Sequence, residues 1–298
     1  MAKPLILNLV DASESNINFE ISKFPDGQQS LTVVGLVGGL VGGDVVIKSR
    51  LNSFKDLEII ICANQVLKEL GAVNVTLFVP YFLGARSDRK FIHGSVNYLK
   101  TVICPIINSQ KFKEVVVVDP HSDVLEACLE NFVKVTNHAI VKAALTDIDN
   151  TNSAREKIVL VSPDAGALKK IYDVAEAFEI DDIVTAIKHR DVRTGKITHT
   201  EVPLKPLVHE HDKKFVIIDD ICDGGRTFIE LAKVIKERTH NSQIYLVVTH
   251  GIFSAGLLEL SKYFDKIYTT DSVKEIEPES YSDYTVSKDF LKQFNLFK

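Results

Sequence analysis

Three carboxylates, two glycines, an arginine and a threonine crowd into one short stretch, at Asp219, Asp220, Asp223, Gly224, Gly225, Arg226 and Thr227. The apolar, β-branched run "FVII" precedes them, and "IELAKVIKER" follows with apolar residues returning every three or four positions. Glycines at a strand-to-helix turn let backbone N–H groups converge on an anion, and the helix N-terminus adds its dipole. Acids beside such a cradle would repel a phosphate unless they face hydroxyl donors or a divalent cation. A phosphate at one end and a hydroxyl-rich ring at the other is a sugar phosphate. A plain strand-end turn with helix-capping acids is the alternative, and few such turns combine all these features.

Other residues invite chemical readings. His121 stands in "VVVVDPHSD", at the end of an apolar run, where a metal-ligand role competes with that of a structural histidine. "ARSDRK" (85–90) follows "VTLFVPYFLG" directly, which favours an active-edge loop over a solvated charge run. His209 and His211 in "HEH" could share a strand face, but no third ligand is evident nearby, and a polar loop is the better reading. "GIFSAG" resembles a nucleophile elbow, yet Ser254 stands three residues after Gly251 rather than two.

These groups need a scaffold. "VTLFVPY" (75–81), "EVVVVD" (114–119), "KIVLVSP" (157–163), "FVIIDD" (215–220) and "IYLVVTH" (244–250) read as buried strands. "DLEIIICANQVLKEL" (56–70), "AGALKKIYDVAEAF" (165–178) and "IELAKVIKER" (229–238) read as helices. Strands alternating with helices predict an α/β fold with mostly parallel sheets covered on both faces, and ligands outside the carboxyl ends of strands. "VVVVDPHSD" (115–123) and "FVIIDDICD" (215–223) share four apolar residues, an Asp, three residues and a second Asp, as two copies of one α/β unit would. The polar stretch "TDIDNTNSAREK" places a domain boundary between 145 and 146, giving domains 1–145 and 146–298.

A chain of 298 residues has room for two domains. With 45% hydrophobic and 25% charged residues it has the composition of a soluble globular protein. A net charge of -5 offers no global basic field for nucleic acid, so any anion site is local. Cys62, Cys104, Cys128 and Cys222 form no C-x-x-C pair, which suits reduced thiols in the cytoplasm. The opening "MAKPLILNLV" is a poor signal peptide, and the stretch from Gly27 to Gly43 is too short and glycine-rich for a membrane span. Nor does "GLVGGLVGG" match a phosphate loop; turns and strand irregularities explain it better.

"VIIDDICDGGRT" resembles the phosphoribosyl pyrophosphate (PRPP) motif of type I phosphoribosyltransferases and PRPP synthetases. Further segments, in family order, are similar to the synthetases: "FPDGQ" (24–28), "PYFLGARSDRK" (80–90), "DPHSD" (119–123), "VSPDAG" (161–166) and the turn "THGIFSAG" (249–256). The resemblance implies two tandem type I phosphoribosyltransferase-like domains with the active site between them, and a homo-oligomer whose "FPDG" hairpin reaches a neighbour's nucleotide. It implies a ribose-phosphate pyrophosphokinase that makes PRPP and AMP from ATP and ribose 5-phosphate with Mg²⁺. By the same resemblance Phe24, Asp26, Gly27, Gln28, Arg86 and Ser87 contact ATP, and His121 and Asp164 hold magnesium. Asp219, Asp220, Asp223, Gly224, Gly225, Arg226 and Thr227 hold the sugar phosphate, and Lys188 and Arg190, in place of the family's mobile K-R-R loop, serve catalysis. The final "KDFLKQFNLFK", read as a helix, folds back on the first domain. Three departures stand out. The phosphate loop reads D-G-G-R-T instead of D-T-x-G-T, Gln28 replaces an acid expected near adenine, and Ser87 replaces a glutamine. Rival readings are a phosphoribosyltransferase that consumes PRPP, which leaves "FPDGQ", "ARSDRK" and "DPHSD" unexplained, and a silent regulatory subunit, which the presence of Lys188, Arg190, His121 and Asp164 argues against.

Overall fold

A computed structural model describes residues 3–35, 40–149, 158–190, 197–203, 213–239, 242–277 and 289–298, with the backbone alone at 188–190 and 197–200. The chain forms two compact units, 1–136 with 295–298, and 137–294.

In the first unit the strands are β1 (Leu5–Asn8), β2 (Phe19–Lys23), β3 (Gln29–Val33), β4 (Asp44–Lys48), β5 (Asn74–Phe78), β6 (Glu114–Val118) and β7 (Phe132–Val135). Its helices are α1 (Phe54–Glu69), α2 (Cys104–Ser109) and α3 (Val124–Cys128), with a π-helical turn over Leu99–Ile103. Five strands form a parallel sheet in the order β1-β4-β5-β6-β7, and β2 and β3 pair as a separate antiparallel hairpin. Helix α1 starts where Ser53 and Asp56 cap each other reciprocally, which satisfies N–H groups that a helix start would leave orphaned. Its Leu57, Ile60, Ala63 and Leu67 recur at helical spacing and join the core around Leu7, Ile47 and Leu77. Of the glycine-rich stretch, residues 36–39 lie outside the described residues; Gly35 and Gly42, both at positive φ, sit in the connection before β4.

The second unit holds α4 (His138–Asp149), β8 (Ile158–Ser162), α5 (Leu168–Phe178), β9 (Ile183–Thr185), β10 (Ile187–Arg190), β11 (Ile197–Glu201), β12 (Lys214–Cys222), α6 (Arg226–Arg238), β13 (Gln243–Gly251), α7 (Leu258–Ser261), β14 (Lys266–Thr270) and β15 (Leu291–Phe294). Six strands form a wholly parallel sheet in the order β15-β14-β13-β12-β8-β9. Parallel strands buried on both faces carry near-continuous apolar sequence. Accordingly β8 is buried along its whole length, and β12 from Lys214 to Ile218. Helix α6 covers this sheet with Phe228, Leu231, Ala232 and Ile235.

The expected strands and helices form near their predicted positions, and the α/β class with mostly parallel sheets stands. The boundary read between 145 and 146 runs through α4. That helix buries Ile140, Val141, Ala144, Leu145 and Ile148 and packs with α5, β13 and β14, so the compact units divide after Thr136 instead. The chain end is a strand rather than a helix: Leu291–Phe294 pairs with β14, which would otherwise be a bare sheet edge. Residues 295–298 then belong to the first unit, where Phe297 is buried and Asn8 Nδ2 donates 2.8 Å to its carbonyl.

Candidate functional site

Strand β12 lies inside its sheet, flanked by β8 and β13, and its two ladders end at different rungs. Pairing with β8 stops at Ile217↔Val161, whereas pairing with β13 runs on to Cys222↔Gly251. Strand order also reverses here, since β8 leads to β9 on one side while β12, β13, β14 and β15 build on the other. Such a switch point opens a crevice at the carboxyl ends of the strands, where ligands bind in parallel sheets. Asp219 and Asp220 lie on the part of β12 that β8 no longer flanks.

The two acids fold against each other, with the Asp220 N–H donating 2.9 Å to Asp219 Oδ1. Asp220 is buried, and Lys170 Nζ on α5 stands 3.7 Å from its Oδ2. Burial, then the charge of Asp220, and in smaller part that of Asp164, raise the Asp219 carboxyl well above the usual carboxylate range. The site therefore resists full ionisation of its acids, a cost that a cation or hydroxyl donors would relieve. Asp164, in the turn after β8, accepts from the N–H groups of Gly166 at 2.9 Å and Ala167 at 3.1 Å through Oδ1, which shapes the entry to α5. Cys222 is buried, and burial with the charges of Asp219 and Asp223 pushes its thiol up to about 12, which makes it a poor nucleophile.

Beyond β12 the two loop glycines have different jobs. Gly225 sits at φ +77°, and a Cβ there would stand 2.8 Å from Leu260 Cδ2, so a side chain would strain the backbone and displace Leu260. Gly224 has no positive φ, and a Cβ there would meet only Ser254 Oγ at 3.7 Å and Ala255 Cβ at 3.9 Å. Arg226 is the first residue of α6 and is exposed; Thr227 follows in the first turn.

The "THGIFSAG" turn braces this loop. The N–H groups of Ile252 and Phe253 donate to the Cys222 carbonyl at 2.9 and 3.1 Å, and that of Ser254 to the Asp223 carbonyl at 3.2 Å. Ser254 Oγ donates to Asp223 Oδ1 at 2.6 Å. Gly251 admits no side chain, because a Cβ would collide with the Phe253 ring and stand 2.7 Å from Thr269 Oγ1. Buried His250 is held by Ser272, with 2.9 Å between Nδ1 and Oγ.

In the first unit the remaining candidates gather on loops at the carboxyl ends of β5 and β6 and on the hairpin. Arg86 is exposed and Ser87 half-buried in a turn that Asn97 fastens, its Nδ2 donating 2.6 Å to the Asp88 carbonyl. Gly84 in that turn has φ +81° and would set a Cβ 2.7 Å from Tyr98. After β6, Asp119 is buried at φ +44°, and His121 follows exposed. Phe24 is exposed at the tip of the β2–β3 hairpin, with Asp26 Oδ1 accepting 3.1 Å from the Gln28 N–H and Gly27 at φ +101°. Gln29 ties the hairpin to α1, its Nε2 donating to the Lys55 carbonyl at 2.8 Å and to Glu58 Oε2 at 3.2 Å.

Lys188 and Arg190 lie in β10, whose antiparallel ladder with β11 shifts register between His189 and Arg190; the expected loop is a hairpin strand there, and the side chains are outside the described residues. His209 and His211 also fall outside them. Among the described residues no group of three or more His, Cys, Asp or Glu side chains is assembled to hold a metal ion. Two residues of the site escaped the sequence reading. Lys170 sits in an ordinary amphipathic helix, and Ser254 figures in the sequence only as part of a failed elbow and of the "THGIFSAG" turn, with no role of its own. Their roles depend on partners on other strands, which no local pattern announces.

A family model described as the phosphoribosyl transferase domain matches residues 135–286. The ribose-phosphate pyrophosphokinase of Pyrococcus abyssi is 27% identical over 278 residues, covering 91% of this chain and 90% of that protein. The one from Thermococcus kodakarensis is 26% identical over 273 residues, covering 89% of each. The crystal structure of phosphoribosylpyrophosphate synthetase from Mycobacterium smegmatis superimposes with a TM-score of 0.79 at 15% identity, covering 99% of this chain and 95% of that one, a likeness of fold.

Proposed function

This chain belongs to the phosphoribosyl transferase domain family and, within it, to the ribose-phosphate pyrophosphokinases, and from that membership we propose that it transfers the diphosphoryl group of ATP to ribose 5-phosphate. One observation carries the reading beyond a phosphoribosyltransferase. The chain joins an acid-and-glycine cradle in one unit to a second parallel sheet whose strand ends bear "ARSDRK" and "DPHSD". A transferase that merely consumes PRPP has no need of that second set.

In the reaction the C1 hydroxyl of the sugar attacks the β-phosphorus. The bond from the C1 oxygen to the β-phosphorus forms, the bond from the β-phosphorus to the oxygen bridging it to the α-phosphorus breaks with its electron pair leaving on AMP, and the hydroxyl proton passes to solvent. Little covalent work falls to the protein, so catalysis is positioning and charge stabilisation. Asp219 accepts hydrogen bonds from ribose hydroxyls, and the backbone from Asp223 to Thr227 receives the 5-phosphate at the start of α6. Asp26, Gly27 and Gln28 with Arg86 and Ser87 hold the nucleotide, in a homo-oligomer whose Phe24 hairpin tip meets a neighbour. Lys188 and Arg190 meet the charge developing on the transferred group.

His121 and Asp164 would help hold Mg²⁺. This ion binds through one or two protein groups plus phosphate oxygens and keeps its waters, so an imidazole and a carboxylate are a sufficient protein share. When bound, Mg²⁺ neutralises the triphosphate. The test is an assay of purified protein with ATP, ribose 5-phosphate and Mg²⁺, quantifying AMP and PRPP. Stoichiometric AMP and PRPP, abolished by a chelator, are expected. ATP hydrolysis without PRPP, or no reaction, refutes the assignment.

A further inference from the structure

We propose that Ser254 is a positioning residue for the sugar phosphate, acting through Asp223. The inference rests on the reading of the 223–227 loop as the sugar-phosphate cradle and adds to it a residue from a different strand end. Its hydroxyl donates to Asp223 Oδ1 at 2.6 Å, the length of a charge-assisted O–H···O⁻ bond. The backbone beneath is over-determined. Its own N–H binds the Asp223 carbonyl, the two preceding N–H groups bind the Cys222 carbonyl, and Phe253 is held at φ +45° with its ring buried. A hydroxyl on so constrained a turn fixes the rotamer of the carboxylate it touches.

The same hydroxyl covers the position where the loop departs from its family. A Cβ on Gly224 would stand 3.7 Å from Ser254 Oγ. Where the motif that the loop resembles, D-T-x-G-T, has a threonine, this chain has a glycine with a serine hydroxyl alongside, supplied from the β13 turn. Ser254 is exposed, so its removal opens no cavity and a methyl group can be added.

The experiment compares Ser254→Ala, Ser254→Thr, Asp223→Asn and the Ser254→Ala/Asp223→Asn double variant in the full chain. Titration calorimetry gives the ribose 5-phosphate affinity, and steady-state kinetics the separate KM values. Ser254→Ala should raise the Kd and KM for ribose 5-phosphate about fivefold or more, the scale of one net hydrogen bond. The ATP KM should change less than about twofold, since the interaction is confined to the sugar-phosphate loop. Ser254→Thr, which keeps the hydroxyl, should restore most of the affinity. Adding Ser254→Ala to Asp223→Asn should change the affinity less than Ser254→Ala does in the wild type, because the charge that strengthens the bond is already gone. Unchanged affinity in Ser254→Ala overturns the proposal, as do equal losses in the Ala and Thr variants, an equal rise in the ATP KM, or failure of the alanine variant to fold. Wild-type protein that binds no ribose 5-phosphate overturns the cradle reading itself, and that result is separate from any comparison of variants.

Discussion

At Gly225 the left-handed backbone and the approach of Leu260 both demand glycine, while at Gly224 neither constraint applies. Gly225→Ala should therefore destabilise the protein by about 1–3 kcal/mol in chemical denaturation. Gly224→Thr should fold with near-normal stability and, by returning a hydroxyl donor to the loop, lower the KM for ribose 5-phosphate. A Gly224→Thr variant as unstable as Gly225→Ala would refute this distinction. Asp219 illustrates a site group held against its own stability. Its folded pKa lies above the unfolded value of about 3.9, so both states hold the proton at lower pH and no penalty applies. As pH rises past that value the unfolded chain loses its proton first, and the folded state becomes relatively less stable. Asp219→Asn should thus raise the melting temperature without ligand at pH 7 more than at pH 3, while weakening ribose 5-phosphate binding by roughly 1.5–3 kcal/mol. Equal melting shifts at both pH values would contradict the argument. Lys188→Ala should lower kcat at least about a hundredfold with ribose 5-phosphate binding intact. Near-normal turnover would remove Lys188 from the mechanism.

Among the elements, α4 and the sheet edge are tied by one carboxylate. Asp147 accepts from Lys266 Nζ at 2.8 Å, Lys292 Nζ at 2.9 Å and Tyr268 OH at 2.9 Å, which binds α4 to β14 and β15. Burial would raise its carboxyl, but these hydrogen bonds outweigh burial and bring it down to about 2. A folded pKa below the unfolded one contributes stability above about pH 4 that is lost as pH falls toward 2. Because Asp147 is partly exposed, solvent screening reduces the contribution to about 1 kcal/mol. Asp147→Asn should lose that amount at pH 7, and the difference from wild type should vanish near pH 2. A gap that persists there would assign the effect to packing. Elements also explain how the repeated "VVVVD" and "FVIID" diverge. Strand β6 ends at Val118 and turns through a left-handed Asp119, whereas β12 runs on to Cys222 with β13 alongside. The sequence pattern locates both strand ends; whether the strand then continues depends on a neighbouring ladder.

For the whole molecule the last residues belong to two units in turn, β15 to the second sheet and 295–298 to the first. Phe297 is 1% exposed, packs edge-on against Phe78 with ring centroids 6.1 Å apart, and has the Arg50 guanidinium 5.5 Å from its ring centroid. Phe297→Ala should cost the first unit about 3 kcal/mol or more. Hydrogen exchange should rise in β1, β4 and β5 while ribose 5-phosphate affinity holds; exchange that rises equally in β12 and β13 would argue against an effect local to the first unit. The amino-acid sequence by itself determined the alternation of strands and helices, the acid-then-glycine step after "FVII", and the family. Those are matters of residue type and short-range period, which steric and hydrophobic preferences express locally. Tertiary structure alone decided that strand order reverses between β8 and β12, that Ser254 braces Asp223, that Lys170 meets Asp220, and that the chain end forms β15. Each is a pairing between residues far apart along the chain. Their partners are selected by which buried backbone groups and sheet edges still need satisfying once the rest has folded.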